Sequence, residues 1–147
     1  MSVLANQLIT TFTKKWGMKT YKILIFPGIM IWLFTFFTAM VLFPFHDTNR
    51  PLFESLIAAA LALFTVIFTN RYFRKINNDF IAAGIRSGFT WMIINLCIDL
   101  PLFLQGPMQM SFVDYLSDIG LTYLIIPTIT ISAGLLVESK LNKGENK

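Results

Sequence analysis

An all-α membrane protein, a bundle of four transmembrane helices with both termini on the cytoplasmic side, is the fold class this sequence predicts. Three observations predict it. Four apolar runs are each long enough to cross a bilayer, which takes about 20 apolar residues. The 147-residue chain is 55% hydrophobic and only 14% charged, and its mean hydropathy is +0.64. Its lysines and arginines are gathered into the connections between the runs, as topology signals are. The length suits a single domain, residues 1–147.

The leader comes first. Leu4, Leu8, Phe12 and Trp16 recur every four residues, with Asn6, Gln7, Thr10 and Lys14 between them. This predicts a short amphipathic helix lying in the membrane interface. No basic residue precedes the first apolar positions and no small-residue cleavage site follows the first run, so a signal peptide is not expected. Span one then covers approximately 23–45, opened by Lys14, Lys15, Lys19 and Lys22. The polar connection His46 to Pro51 leads to span two, approximately 52–70, in which Ser55, Ala58, Ala59 and Ala62 form a small-residue stripe. Arg71, Arg74, Lys75 and Asp79 fill the next gap. Span three, approximately 80–104, carries Arg86 near its start and the pair Gly84 and Gly88, whose spacing allows close helix approach and marks a packing face together with Trp91. Span four, approximately 112–137, has its own small residues at Gly120, Ser132, Ala133 and Gly134.

Orientation follows from the basic residues. Arg50 is the one lysine or arginine in the first and third connections; the rest flank the N-terminus, the second connection and the tail. Both termini are therefore expected in the cytoplasm, in the plasma membrane of a bacterium or an archaeon. Arg71, Arg74, Lys75 and Arg86 are placed to meet anionic lipid headgroups.

Several function classes drop out. The net charge of +4 lies in the inter-span gaps rather than on one face, so no nucleic-acid partner is expected. The single Cys97 excludes an intrachain disulfide and a cysteine-based metal site. Met108, Met110 and His46 are too thin a set for a soft metal, and no metal or cofactor is expected. No nucleophile–base pair, phosphate loop or HExxH stretch points to an enzyme.

Chemistry concentrates on spans three and four. Trp91, Asn95 and Asp99 stand at i, i+4 and i+8, which is one face of a helix. An ionisable group inside a membrane segment is costly and calls for a partner. At ~1.5 Å per residue, Asp99 lies about 20 Å above Arg86, in the outer half of the bilayer. Asp118 falls near the outer interface of span four, with Thr122 one turn below it and Tyr123 beside it. Pro101 and Pro127 remove helical hydrogen bonds and free the carbonyls of Cys97 and Tyr123. Carboxylates, an amide, hydroxyls and loose carbonyls suit protons or hard cations. The expectation is a carrier or conduit for protons or small cations, with Asp99 as the titrating group, Asp118 as its partner, and Asn95, Thr122 and Tyr123 around them.

The competing reading ends span three at Asp99. Leu100 to Met110 is then an outer loop, Asp114 pairs with Ser111 at a helix start, and the chain is a non-catalytic accessory or assembly subunit of a larger membrane complex. Whether Asp99 lies in helix or in loop separates the two. On either reading the lipid bilayer is one partner, and a second copy of the chain or another membrane protein is the next. In size the four spans are similar to the small multidrug-resistance transporters; those rely on a glutamate in the first span, and this first span has no carboxylate, so no family is assigned.

Overall fold

In the computed structural model, which describes residues 18–105 and 111–145, the chain is built from helices α1 (Met18–Leu42), α2 (Pro44–Thr48), α3 (Arg50–Phe73), α4 (Phe80–Gln105), α5 (Phe112–Asp118) and α6 (Ile125–Glu145), with a 3₁₀ turn at Gly120–Leu124 between the last two. No strand occurs among the described residues. The interfacial helix expected over residues 2–16, with Leu4, Leu8, Phe12 and Trp16, lies outside the described residues, as do Met108 and Met110. Four stretches are long and apolar enough to cross a membrane: Tyr21–Leu42, Arg50–Phe73, Phe80–Leu104 and Phe112–Asn142. The third has the lowest mean hydropathy, 1.5 against 2.1 for the first two, because Ser87, Asn95 and Asp99 interrupt its apolar sequence.

Local chemistry explains where the helices stop. Pro44 has no N–H with which to continue α1, so α1 ends at Leu42 and Pro44 opens α2, where the missing donor costs nothing. The run expected to continue to residue 45 is therefore broken just after Leu42. Asn49 then caps α3, its side chain accepting from the Leu52 N–H at 3.2 Å. Before α4, Asp79 takes a positive φ of 54°. Helix α4 runs straight through Pro101 to Gln105, so Asp99 belongs to the helix and not to an outer loop beginning at Leu100. Proline is tolerated there because the only intrahelical bond it removes is the one to the carbonyl of Cys97, within the last turns of the helix.

The fourth run is not the single helix that residues 112–137 were expected to form. Ser111 caps α5, accepting from the Asp114 N–H at 3.1 Å while its own hydroxyl donates to Asp114 Oδ2 at 2.6 Å. Helix α5 stops at Asp118, and the chain tightens into the 3₁₀ turn before α6 begins. Pro127 contributes to the break. It cannot donate to the Tyr123 carbonyl, and its ring crowds that carbonyl, which weakens regular helix between residues 123 and 127. In the first turn of α6 the same proline is well accommodated.

Packing is cyclic: α1 lies against α3 and α4, and α6 lies against α3 and α4. The closest pair is α4 with α6. Ala83, Gly84, Ser87, Gly88, Trp91, Asn95 and Asp99 form the buried face of α4, and Tyr123, Ile126, Pro127, Thr130 and Gly134 meet them from the fourth stretch. A Cβ on Gly84 would stand 2.5 Å from the Thr130 carbonyl oxygen, and one on Gly134 would stand 2.5 Å from that of Phe80. Backbone therefore touches backbone along this seam, and only glycine permits it.

At one end of the seam Glu138 Oε2 accepts from the Phe80 N–H at 3.2 Å. A carboxylate from α6 thus caps α4, satisfying one of the donors a helix start leaves open. Replacing Glu138 with alanine is expected to cost ~1 kcal/mol, the usual size of a lost cap. Hydrogen exchange read by mass spectrometry checks this: amides at the start of α4 should exchange faster in the variant, while those around Trp91 keep their protection.

Candidate functional site

The centre of the molecule is a ladder of polar contacts between α1 and α4. Trp91 Nε1 donates to the Leu24 carbonyl at 2.6 Å. Asn95 Nδ2 donates to the Gly28 carbonyl at 3.2 Å and to the Trp91 carbonyl of its own helix at 2.8 Å. Trp32 Nε1 donates to Asp99 Oδ1 at 2.6 Å. The sequence separation is 67 in each interhelical rung. Both partners advance four residues per rung, so α1 and α4 run parallel and in constant register, with side chains at i and i+4 stacked on one face.

The two helices contribute differently. From α4 come donors on side chains; from α1, in the lower two rungs, come main-chain carbonyls using their second lone pair. Gly28 makes the middle rung possible, because a Cβ there would meet Trp91 Cδ1 at 3.0 Å and Ile94 Cδ1 at 2.9 Å. In the top rung the direction reverses, and α1 supplies the donor.

Asp99 is 6% exposed, and Trp91 and Asn95 are fully buried. The second carboxyl oxygen, Oδ2, accepts from the Tyr123 hydroxyl. The carboxyl group thus ties three helical stretches together: Trp32 from α1, Tyr123 from the 3₁₀ turn, and its own helix. Asp99 forms no ion pair among the described residues; the pairs found there are His46–Asp47 and Arg50–Glu54, both at exposed positions. A buried carboxyl group held by two neutral donors is a costly polar feature in an apolar bundle.

Above it lies Tyr115, fully buried. Its ring stands 5.7 Å from that of Phe103, one turn beyond Asp99 on α4. The Tyr115 hydroxyl and Asn95 Oδ1, like the hydroxyls of Thr35 and Thr69, are buried polar atoms with no hydrogen-bond partner among the described residues. By contrast, the buried hydroxyls of Thr65, Ser87 and Thr130 bond to carbonyls of their own helices, a local use that needs no ligand.

The structure therefore brings together Trp91, Asn95, Asp99 and Tyr123. Thr122 is half-buried in the same 3₁₀ turn. Asp118 closes α5, and its side chain lies outside the described part; Trp32 and Tyr123 each donate to one oxygen of Asp99. Gly84 and Gly88 sit on the α4–α6 seam, Gly88 over Pro127 and the Thr130 hydroxyl. Arg71, Arg74 and Lys75 are exposed around the α3–α4 connection, and Arg86 is exposed with Nε donating to the Ala82 carbonyl at 3.1 Å. His46 Nδ1 lies 2.9 Å from Asp47 Oδ1, and its ring stacks on Phe43. No group of three His, Cys, Asp or Glu that could hold a metal occurs among the described residues.

Sequence reasoning confined the site to spans three and four. That expectation did not include Trp32 or the α1 carbonyls. The signal that could have found Trp32 is its spacing: it stands four residues beyond Gly28 in a span with hardly any other hydrogen-bonding side chain. A scan against protein-family models, a search of curated proteins and a search of solved structures each find nothing that matches this chain.

Proposed function

We propose that this is a four-span integral membrane protein, with both termini in the cytoplasm, in which Asp99 reversibly binds the proton moved by a carrier or conduit. The observation that carries the reading is the buried Asp99 carboxyl, linked to two other helical stretches by one N–H and one O–H and, among the described residues, to no cation. The donor set favours a proton over a small metal cation. Metal ions such as Ca²⁺ or Mg²⁺ need several oxygen ligands, whereas the indole of Trp32 is only a donor and occupies the oxygen such an ion would need.

Proton binding has a defined consequence here. A protonated carboxyl has one fewer acceptor and one new O–H donor. Trp32 cannot turn into an acceptor, but the Tyr123 hydroxyl can rotate and accept. The proton therefore belongs on Oδ2, with the Tyr123 contact reversing and the Trp32 contact unchanged. The hydroxyl of Tyr115, buried nearby on the same run as Tyr123, is the next group able to take part. The large outward side chains of Phe26, Phe37, Met40, Val41, Leu63, Ile93, Leu121 and Leu136 suit contact with lipid or with a second copy in a homodimer.

The test uses the purified chain in liposomes loaded with a pH-sensitive dye, under an imposed potassium diffusion potential. The parent should acidify the lumen faster than protein-free vesicles, and Asp99→Asn should return the rate to that background. Equal rates for the parent and Asp99→Asn would overturn the reading.

The constant register of the ladder favours a second reading, an accessory or assembly subunit in which Asp99 only clasps α1, α4 and Tyr123. On that reading Asp99→Asn changes no flux, and pull-down from native membrane returns a larger membrane partner.

A further inference from the structure

At the end of the bundle opposite Asp99, between the start of α1 and the end of α3, lies a cavity of about 250 Å³ lined by Ile23, Tyr72, Lys75, Ile76, Asn77 and Asn78. We propose that this cavity binds a phosphate-bearing anion, and that an acidic phospholipid headgroup is the source its surroundings favour.

The sign of the ligand follows from Lys75. Its ammonium is exposed at the cavity wall and makes no ion pair among the described residues, and neither do Arg71 and Arg74 beside it. Lys22, next to Ile23, adds a further exposed positive charge; Asp79 is the one carboxylate in the α3–α4 connection. Positive charge therefore predominates, and a metal cation is disfavoured. The amides of Asn77 and Asn78 are exposed and can turn their NH₂ groups towards an anion. The last two carbonyls of α3, which would otherwise repel one, are already engaged: Lys75 N–H donates to Tyr72 at 2.9 Å and Ile76 N–H to Phe73 at 3.1 Å.

The remaining lining argues for a lipid. Ile23 and Ile76 are half-buried and apolar, and Tyr72 is a buried aromatic. A soluble phosphate has no use for them, whereas a glycerol backbone and the start of an acyl chain do. Basic residues at the edge of an apolar helix bundle are where anionic headgroups gather. The floor residue, Tyr72, stands edge-on to Trp91 with ring centroids 5.6 Å apart, so an occupant of the cavity would brace the lowest rung of the α1–α4 ladder.

Thermal unfolding of the full chain in a neutral detergent tests this, with added phosphatidylglycerol, phosphatidylcholine or inorganic phosphate. Phosphatidylglycerol should raise the unfolding temperature by several degrees at a concentration where phosphatidylcholine does nothing. The triple change Lys75→Ala, Asn77→Ala, Asn78→Ala should lose most of that shift, while Lys140→Ala, an exposed lysine on α6, should keep it. Lys75→Gln alone provides the same comparison where the triple variant does not fold. If inorganic phosphate reproduces the shift and the same variants lose it, the cavity takes a soluble anion. An equal phosphatidylglycerol shift in the parent and in both cavity variants, or no shift in the parent, would overturn the proposal.

Discussion

Gly84→Leu is expected to unfold the protein at a markedly lower temperature than the parent, because the new side chain has nowhere to go. Its Cβ would lie 2.5 Å from the Thr130 carbonyl oxygen, 3.1 Å from the Thr130 carbonyl carbon and 3.2 Å from the Ile131 Cα. All three are backbone atoms, so no rotamer change relieves the contact and α4 must move away from α6. Overpacking of this kind costs ~1–3 kcal/mol and sometimes more. Here the loss spreads, because close van der Waals packing is what holds apolar helices together where lipid competes equally for their surfaces. Gly134, under the Phe80 carbonyl, belongs to the same seam and should respond in the same way. Gly120→Ala is the control. Its nearest neighbour is the Leu116 Cδ1 at 2.9 Å, the end of a flexible side chain that can turn aside. Thermal unfolding in detergent should therefore separate Gly84→Leu clearly from Gly120→Ala. Similar midpoints for the two would mean that α4 and α6 do not approach as closely as described.

The features legible in the sequence are those that depend on properties of the individual helix. Hydropathy marks the four long stretches, and small residues at Gly84 and Gly88 mark the face of α4 that meets α6. The periodicity of a helix alone places Trp91, Asn95 and Asp99 on one side. What α4 meets there is a different kind of information. Leu24 and Gly28 take part through their carbonyls, and every residue has one, so only the missing side chain of Gly28 hints at the contact. Trp32 reads as an apolar anchor until its N–H is placed opposite a carboxyl group. Counting along a regular helix also left out the break in the fourth stretch. The count assumed continuous helix, whereas the stretch is interrupted by the 3₁₀ turn from which Tyr123 reaches Asp99. Helix ends drifted for a related reason. Helices end where caps and prolines end them, at Pro44 and Asn49, and not where hydropathy falls.

Asp99→Ala should be among the most destabilising changes in the molecule, and Asp99→Asn among the mildest at the same position. Alanine removes the acceptor for two buried donors at once, the Trp32 N–H and the Tyr123 O–H. Leaving a buried donor unsatisfied costs ~1–3 kcal/mol each. Asparagine keeps Oδ1 as an acceptor for Trp32 and turns an NH₂ donor towards Tyr123, whose hydroxyl can rotate to accept. A double-mutant cycle makes the point quantitative. Tyr123→Phe in the parent leaves Oδ2 without its donor; in the Asp99→Ala background it removes a hydroxyl that is already unsatisfied. The double variant should therefore be more stable than the sum of the single changes implies, by ~0.5–3 kcal/mol for residues in direct contact. Additive effects would mean that the Tyr123–Asp99 contact contributes nothing. The same comparison fixes how the flux experiment must be read. Where Asp99→Asn unfolds at the parent's temperature, as these contacts lead us to expect, a loss of proton movement in that variant comes from the missing titratable group and not from a loosened bundle.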